Sequence, residues 1–228
     1  MKNKDAPQFG SRAFAEPPQR KAVLKKSAIK PDAALPREVR IIGGEWKRSK
    51  LPVALMPGLR PTPDRVRETV FNWLGADLNG WRCLDAFAGS GALGFEAASR
   101  GATSVILLER EHRQVRSLVE SKLRLKADAL RVEAADALSW MGRGPAKSFE
   151  LIFIDPPFDS TLLEPAVRAA TRLLVPDGFI YLEAASAQTD ETLATFGLKL
   201  HRHLRAGHVH AHLLMLRGEG YTSSQSEI

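Results

Sequence analysis

A single cysteine, Cys83, stands in a chain of 228 residues, so no intrachain disulfide can form, and one free thiol points to a reducing compartment. No apolar run approaches the roughly 18 residues that a membrane span needs. The first residues, Met1-Lys2-Asn3-Lys4-Asp5-Ala6-Pro7, lead into no apolar stretch of the kind found in a secretory leader. There is no internal repeat. A cytoplasmic protein is the expectation. Acidic residues are the minority, 26 against 33 Lys and Arg, which leaves a net charge of +7. Such a surface suits a polyanionic partner, although net charge alone describes only the field. The apolar fraction of 44% is ordinary for a folded domain. The length fits one α/β domain with appendages.

Residues 1–37 mix Lys, Arg, Pro, Ala and Gln with few large apolar side chains, and read as a disordered basic tail. Its stretch Arg20-Lys21-Ala22-Val23-Leu24-Lys25-Lys26 is either a solvated segment or an arm laid along phosphates. Residues 38–58 read as a short hairpin: Val39-Arg40-Ile41-Ile42, the turn Gly43-Gly44, then Leu51-Pro52-Val53. The main domain is expected over 59–218 and a disordered tail over 219–228. Thr62 is placed to cap a helix over about 63–75, with Pro63 in its first position. From residue 82 onward strands near 82–88, 103–109, 130–134, 150–155 and 178–183 alternate with helices near 91–100, 111–126 and 161–174. That alternation predicts a mostly parallel sheet covered on both faces. Segments 196–204 and 208–216 around Ala206-Gly207 read as an antiparallel terminal hairpin.

Gly89, Gly91 and Gly94 match G-x-G-x-x-G between a predicted strand and helix. Glycines there allow a sharp turn and close approach to a ligand, and the helix start offers free N–H groups. A nicotinamide dinucleotide is the first rival ligand. Asp85, four residues before Gly89, argues otherwise, because a buried carboxylate needs a partner such as an ammonium group. S-adenosylmethionine carries an α-ammonium; NAD has no counterpart. Glu109, at the end of the next strand, suits ribose hydroxyls in either case. Asp136 ends the third strand and is equally readable as a ligand to the cofactor or as a helix cap.

The apolar strand Leu151-Ile152-Phe153-Ile154 runs into Asp155-Pro156-Pro157-Phe158. Two prolines stop the ladder and expose the Pro156 carbonyl beside the Asp155 carboxylate. Two acceptors that grip the hydrogens of an aromatic amine favour a pyramidal nitrogen and stabilise the charge that grows on it during attack. Phe158 offers a face on which an unstacked base can rest. The tetrapeptide therefore points to methyl transfer onto an exocyclic base amine, with no metal required.

Together with Gly58-Leu59-Arg60-Pro61-Thr62, Asp64-Arg65-Val66-Arg67-Glu68-Thr69 and Phe71-Asn72-Trp73-Leu74, these motifs resemble the bacterial RsmD-type 16S rRNA guanine-N2 methyltransferases over about 39–216. The resemblance implies a Rossmann-like class I methyltransferase domain with a seven-stranded sheet and a small N-terminal β-hairpin. It implies methylation of a guanine N2 in 16S rRNA, on the 30S subunit or its assembly intermediates; a monomer is expected. S-adenosyl-L-methionine would lie over Asp85, Gly89, Gly91, Glu109 and Asp136, with Phe87, Ser90, Arg110 and Ala137 beside them. Arg60 and Thr62 would lie near its methionine end. Lys47, Arg48, Lys50, Arg60, Arg65 and Arg67 are the expected RNA contacts. An adenine- or cytosine-amino methyltransferase of DNA is the alternative, and a non-enzymatic RNA-binding relic the third reading. Two features depart from the family: the basic tail, and the crowd of His201, His203, His208, His210 and His212 in the terminal hairpin. Alternate residues share a strand face, so these histidines read as a metal-binding row or as a polar face opposite Val209, Ala211 and Leu213.

Overall fold

In the computed structural model, which describes residues 38–53, 62–157 and 160–218, the chain runs through nine strands and six helices among the described residues. A two-stranded hairpin comes first, β1 (Glu38–Arg40) with β2 (Lys50–Pro52), followed by α1 (Asp64–Trp73). Then come β3 (Arg82–Asp85), α2 (Ala92–Ser99), β4 (Ser104–Glu109), α3 (His112–Leu125), β5 (Leu130–Ala134) and α4 (Ala137–Arg143). The second half holds β6 (Phe149–Ile154), α5 (Leu163–Leu173), β7 (Leu174–Ala184), α6 (Asp190–Ala194), β8 (Leu198–Ala206) and β9 (Val209–Leu216). The expected tails at 1–37 and 219–228, and Arg60, Pro61 and Phe158, lie outside the described residues.

Seven strands form one sheet in the order β5-β4-β3-β6-β7-β9-β8. The first five pair parallel, and β9 joins β7 antiparallel with β8 outside it. Period-2 alternation sorts each strand between two cores. Leu151 and Phe153 of β6 pack with Phe71, Phe95 and Leu118 on one face. Ile152 and Ile154 pack with Met141, Val167 and Leu173 on the other. Such two-sided burial is why the central strands read as continuous apolar runs. The chain winds outward from β3 to β5, then crosses back to β6, so the strand order reverses between β3 and β6. The crevice at the carboxyl ends of those two strands is where sheets of this kind bind ligands.

Some boundaries differ from the sequence reading. Strand β3 ends at Asp85 rather than near residue 88, because the chain leaves the ladder to enter the glycine loop. Helix α1 starts at Asp64 with Pro63 at its cap, and Thr62 caps nothing; its hydroxyl is drawn inward to Glu183. Strand β7 begins directly at Leu174, with a register shift against β6 before the stretch 178–183. The short helix α6, capped by Thr189, went unanticipated.

The β1–β2 hairpin is fastened to the domain through one buried carboxylate. Glu96 of α2 has no exposed surface, and it accepts from Ile42 N at 2.7 Å, Gly43 N at 2.8 Å and Arg100 Nε at 2.8 Å. The Arg67 guanidinium, also fully buried, lies 3.4 Å from Glu96 and donates to the Arg40 carbonyl and to Asp64. Ser99 adds a bond to the Gly43 carbonyl, and its own carbonyl accepts from Glu45. These partners satisfy the polar backbone of Arg40 to Glu45 where it meets α1 and α2.

Candidate active site

The glycine loop departs from β3 and enters α2. Gly89 (φ 53°) and Gly91 (φ 78°) both occupy the left-handed region, which a side chain would strain. Gly94 is required for a different reason: a Cβ there would sit 2.1 Å from Leu107 Cδ2 and 3.2 Å from Asp85 Oδ2. Its N–H donates to Asp85 Oδ2 at 3.0 Å. Asp85 is therefore held from below by the helix start, with 2% of its surface exposed. Burial raises its pKa to about 7, against the pull of the Gly94 and Phe87 backbone bonds, and the charge of Glu109 adds to the rise. Among the described residues no cation pairs with it. A buried acid without a counter-charge fits a ligand that brings an ammonium group.

Glu109, at the end of β4, uses both oxygens to hold backbone: Gly89 N at 3.0 Å and Glu111 N at 2.8 Å. It thus shapes the loop, and each oxygen keeps a lone pair for a ribose hydroxyl. Asp136 caps α4 through the Ser139 N–H at 2.9 Å, a bond that lowers its pKa. It remains exposed, so the cap leaves its second oxygen available. Phe87 and Ser90 are partly exposed on the loop, Arg110 is exposed beyond Glu109, and Ala137 is buried at the start of α4.

Asp155 follows β6 directly across the switch point from Asp85. Its carboxylate is partly buried, and no described residue donates a hydrogen bond to it. Desolvation, then the charges of Glu183 and Asp85, push its pKa well above the usual carboxylate range. Pro157 O is engaged by Ser160 N at 3.1 Å, whereas the Pro156 carbonyl accepts nothing from the described residues. Among the described residues the two acceptors read from the sequence are thus both unspent. Beside them opens a cleft of about 160 Å³ lined by Pro156, Pro157, Ser160, Ala184, Ser186 and Gln188. It lies on the β7 side of the tetrapeptide and takes in none of the glycine-loop residues.

Glu183 escaped the sequence reading. It sits near the end of β7, 3% exposed, and its Oε1 accepts from Thr62 Oγ1 at 2.5 Å and Tyr181 OH at 2.7 Å. The signal was available: Phe179-Ile180-Tyr181-Leu182-Glu183 carries an acid at a strand's carboxyl end, as Asp85, Glu109 and Asp136 do. Three buried or partly buried acids therefore stand at the carboxyl ends of the neighbouring strands β3, β6 and β7.

The histidines fall into neither simple arrangement. His203, His210 and His212 stack as a row, with His203 Nε2 3.0 Å from His210 Nδ1. His212 is not on a polar face but fully buried, since β9 runs between β7 and β8. Its Nε2 accepts the Gln188 N–H at 3.1 Å and its Nδ1 lies 3.3 Å from the Leu182 carbonyl. Burial lowers its pKa to about 4. A neutral ring with both nitrogens engaged holds the Ser186–Gln188 wall of the cleft.

Of the basic candidates, Lys47, Arg48, Lys50 and Arg65 are exposed, and Lys50 pairs with Glu38 at 2.7 Å. Arg67 is a correction. Its guanidinium has no exposed surface and all three nitrogens are bonded within the protein, so it serves the hairpin and meets no phosphate.

A mostly parallel seven-stranded sheet of this order, with its antiparallel end and a glycine loop after β3, is the fold of the class I methyltransferases. The chain matches the family described as Conserved hypothetical protein 95 over residues 39–215, and it belongs to that family. It is 39% identical over 193 residues to Ribosomal RNA small subunit methyltransferase D of Escherichia coli (strain K12), covering 84% of this chain and 96% of that protein. It is 41% identical over 165 residues to the Haemophilus influenzae protein of the same name, covering 69% and 83%. Among solved structures, a putative methyltransferase from Escherichia coli superposes with a TM-score of 0.69 at 40% identity, covering 80% of this chain and 99% of the other.

Proposed function

We propose that the protein methylates the exocyclic N2 amine of a guanine in 16S rRNA, acting in the cytoplasm as a monomer on the small subunit or its precursors. The observation that carries this reading is the pair of acceptors at Asp155 and Pro156, unspent among the described residues and set across the strand-order switch from Asp85 at the end of β3. The names of its relatives support the RNA substrate. When bound, S-adenosylmethionine supplies an electrophilic methyl group: the amine's lone pair forms the new N–C bond and the C–S pair returns to sulfur. Asp85 would hold its ammonium, with Gly89 and Gly91 admitting its backbone-facing side and Glu109 and Asp136 meeting the adenosine. Phe87, Ser90, Arg110, Ala137, Thr62 and Arg60 would lie beside it in the same proposal. Asp155 and Pro156 would orient the target nitrogen by accepting its hydrogens, Pro157 fixing the turn and Phe158 offering a face to the base. Positioning of this kind supplies the greater part of the rate. The direct test is transfer of labelled methyl groups to small-subunit particles that lack the modification. Transfer is expected; its absence with intact cofactor binding would remove the proposal.

Asp85 makes cofactor affinity dependent on pH. An ammonium needs the ionised carboxylate, and in the free protein burial keeps a proton on it up to a pH of about 7. Affinity should rise with pH until about 7 and level off above it. Below that value it should fall by up to about tenfold per pH unit, as one proton must leave on binding. Titration calorimetry between pH 5.5 and 8.5, all in one ionic strength, reads this directly, and a flat profile would remove Asp85 from the ammonium's partners.

RNA affinity should fall steeply with salt. Four phosphate contacts from Lys47, Arg48, Lys50 and Arg65 would give a log–log slope of roughly −3, as counterions are released from the RNA. The double variant Lys47→Ala, Arg48→Ala should flatten that slope by about 1.5. An unchanged slope in a filter-binding series would place the RNA elsewhere.

A further inference from the structure

Glu183 has more charge than its packing needs. Both of its donors, Thr62 Oγ1 and Tyr181 OH, reach the same oxygen, Oε1. The carbonyl of a glutamine would accept both equally well. No described cation forms an ion pair with it. Arg67 is the nearest source of positive charge, but its N–H groups are taken by Glu96, Asp64 and the carbonyls of Arg40 and Thr62. Across the sheet Glu183 faces Ala211 of β9, which is apolar. Keeping an anion there raises the cost of burial without improving a contact.

The charge does act on a neighbour. Ile154 of β6 pairs with Leu182 of β7, so Asp155 and Glu183 each stand one residue beyond that rung, on adjacent strands. Asp85 of β3 adds a third acid on the other side of Asp155. We infer that Glu183 is a positioning residue for the reaction's proton: its carboxylate keeps Asp155 basic, so that Asp155 takes the proton the target nitrogen sheds. This rests on the proposed methyl transfer. Once the N–C bond has formed, the nitrogen carries one hydrogen too many. The N–H pair returns to nitrogen, and the proton moves to an Asp155 oxygen and from there to water.

The electrostatics agree in direction. Burial, then Glu183, then Asp85 raise the proton affinity of Asp155. Burial raises that of Glu183 too, but the Thr62 and Tyr181 hydroxyls and the Arg67 charge oppose the rise. Those hydroxyls and the Arg67 charge favour the ionised form of Glu183. The phenol of Tyr181 is itself pushed up by burial and by Glu183, so it stays a donor.

The test follows the Asp155 carboxyl carbon by 13C NMR in the free, full-length protein, with Asp155→Asn as the assignment control. In parallel, kcat is measured against pH on small-subunit particles lacking the modification, with saturating methyl donor. Glu183→Gln should lower the pH at which Asp155 titrates by roughly one unit, and move the acid limb of kcat the same way. Glu183→Asp keeps the charge and should leave both near their wild-type positions. An Asp155 titration unmoved in Glu183→Gln, or moved equally in both variants, overturns the inference. If the NMR shift appears but the wild-type protein transfers no methyl group at any pH, the proposed reaction fails and the proton has no source.

Discussion

Asp155→Ala should lower methyl transfer by two to three orders of magnitude while leaving cofactor affinity within about twofold of the wild type. The size of the loss follows from removing one preorganised acceptor from the site where charge develops, which costs roughly 3–4 kcal/mol in enzymes of known mechanism. The selectivity follows from placement. Asp155 stands at the end of β6, across the strand-order switch from the glycine loop, and makes no hydrogen bond that holds that loop together. Single-turnover transfer and calorimetry on the same preparation check the two halves. If cofactor binding were lost in step with turnover, Asp155 would belong to the cofactor cleft and not to the target base.

Glu96→Gln should be among the most destabilising single changes in the domain, though Glu96 touches neither substrate. The carboxylate is fully buried between the hairpin, α1 and α2, and faces the fully buried Arg67 guanidinium. Among the described residues, neutralising it leaves the exposed Asp64 as the one ion-pair partner of that guanidinium. Breaking a buried pair from one side costs about 3–5 kcal/mol, because the remaining charge is stranded away from water. In a chain of this size that is a drop of roughly 10 °C in Tm. The amide would also present an N–H₂ to the Ile42 or Gly43 N–H, two donors facing each other. Thermal melts followed by circular dichroism give the number. Arg67→Ala should be comparably severe, whereas Arg65→Ala, on an exposed position of the same helix, should stay within about 0.5 kcal/mol.

The contrast between Arg65 and Arg67 shows where a sequence stops being readable. Both arginines stand in one basic stretch, and only the register of α1 against the hairpin separates them. Val66 and Val70 mark the buried stripe, and Arg67 borders it. An arginine turned inward requires a partner, and that partner, Glu96, lies on another helix and is invisible to local pattern. Glu183 was hidden for a different reason. The acid at the end of its strand was visible, but its place beside Asp155 depends on sheet order, which strand alternation does not determine. His212 was misplaced because the terminal hairpin inserts its second strand between β7 and β8, where Ala211 to Leu214 are buried on both faces of the sheet. What was legible was local: the glycine loop, the acids at strand ends, and the proline-stopped strand at Asp155. Each is a short-range solution to a backbone or charge problem, and each stands where its local chemistry required.

The identity of the methylated nucleoside tests the central claim most directly. Small-subunit particles lacking the modification would be incubated with the protein and methyl-labelled S-adenosylmethionine, and the RNA digested and resolved by mass spectrometry. The expected result is a single labelled product, N2-methylguanosine, mapping to one site in 16S rRNA and absent with Asp155→Ala. Label on adenine or cytosine, label in DNA supplied as a competitor, or undiminished label with Asp155→Ala would contradict it.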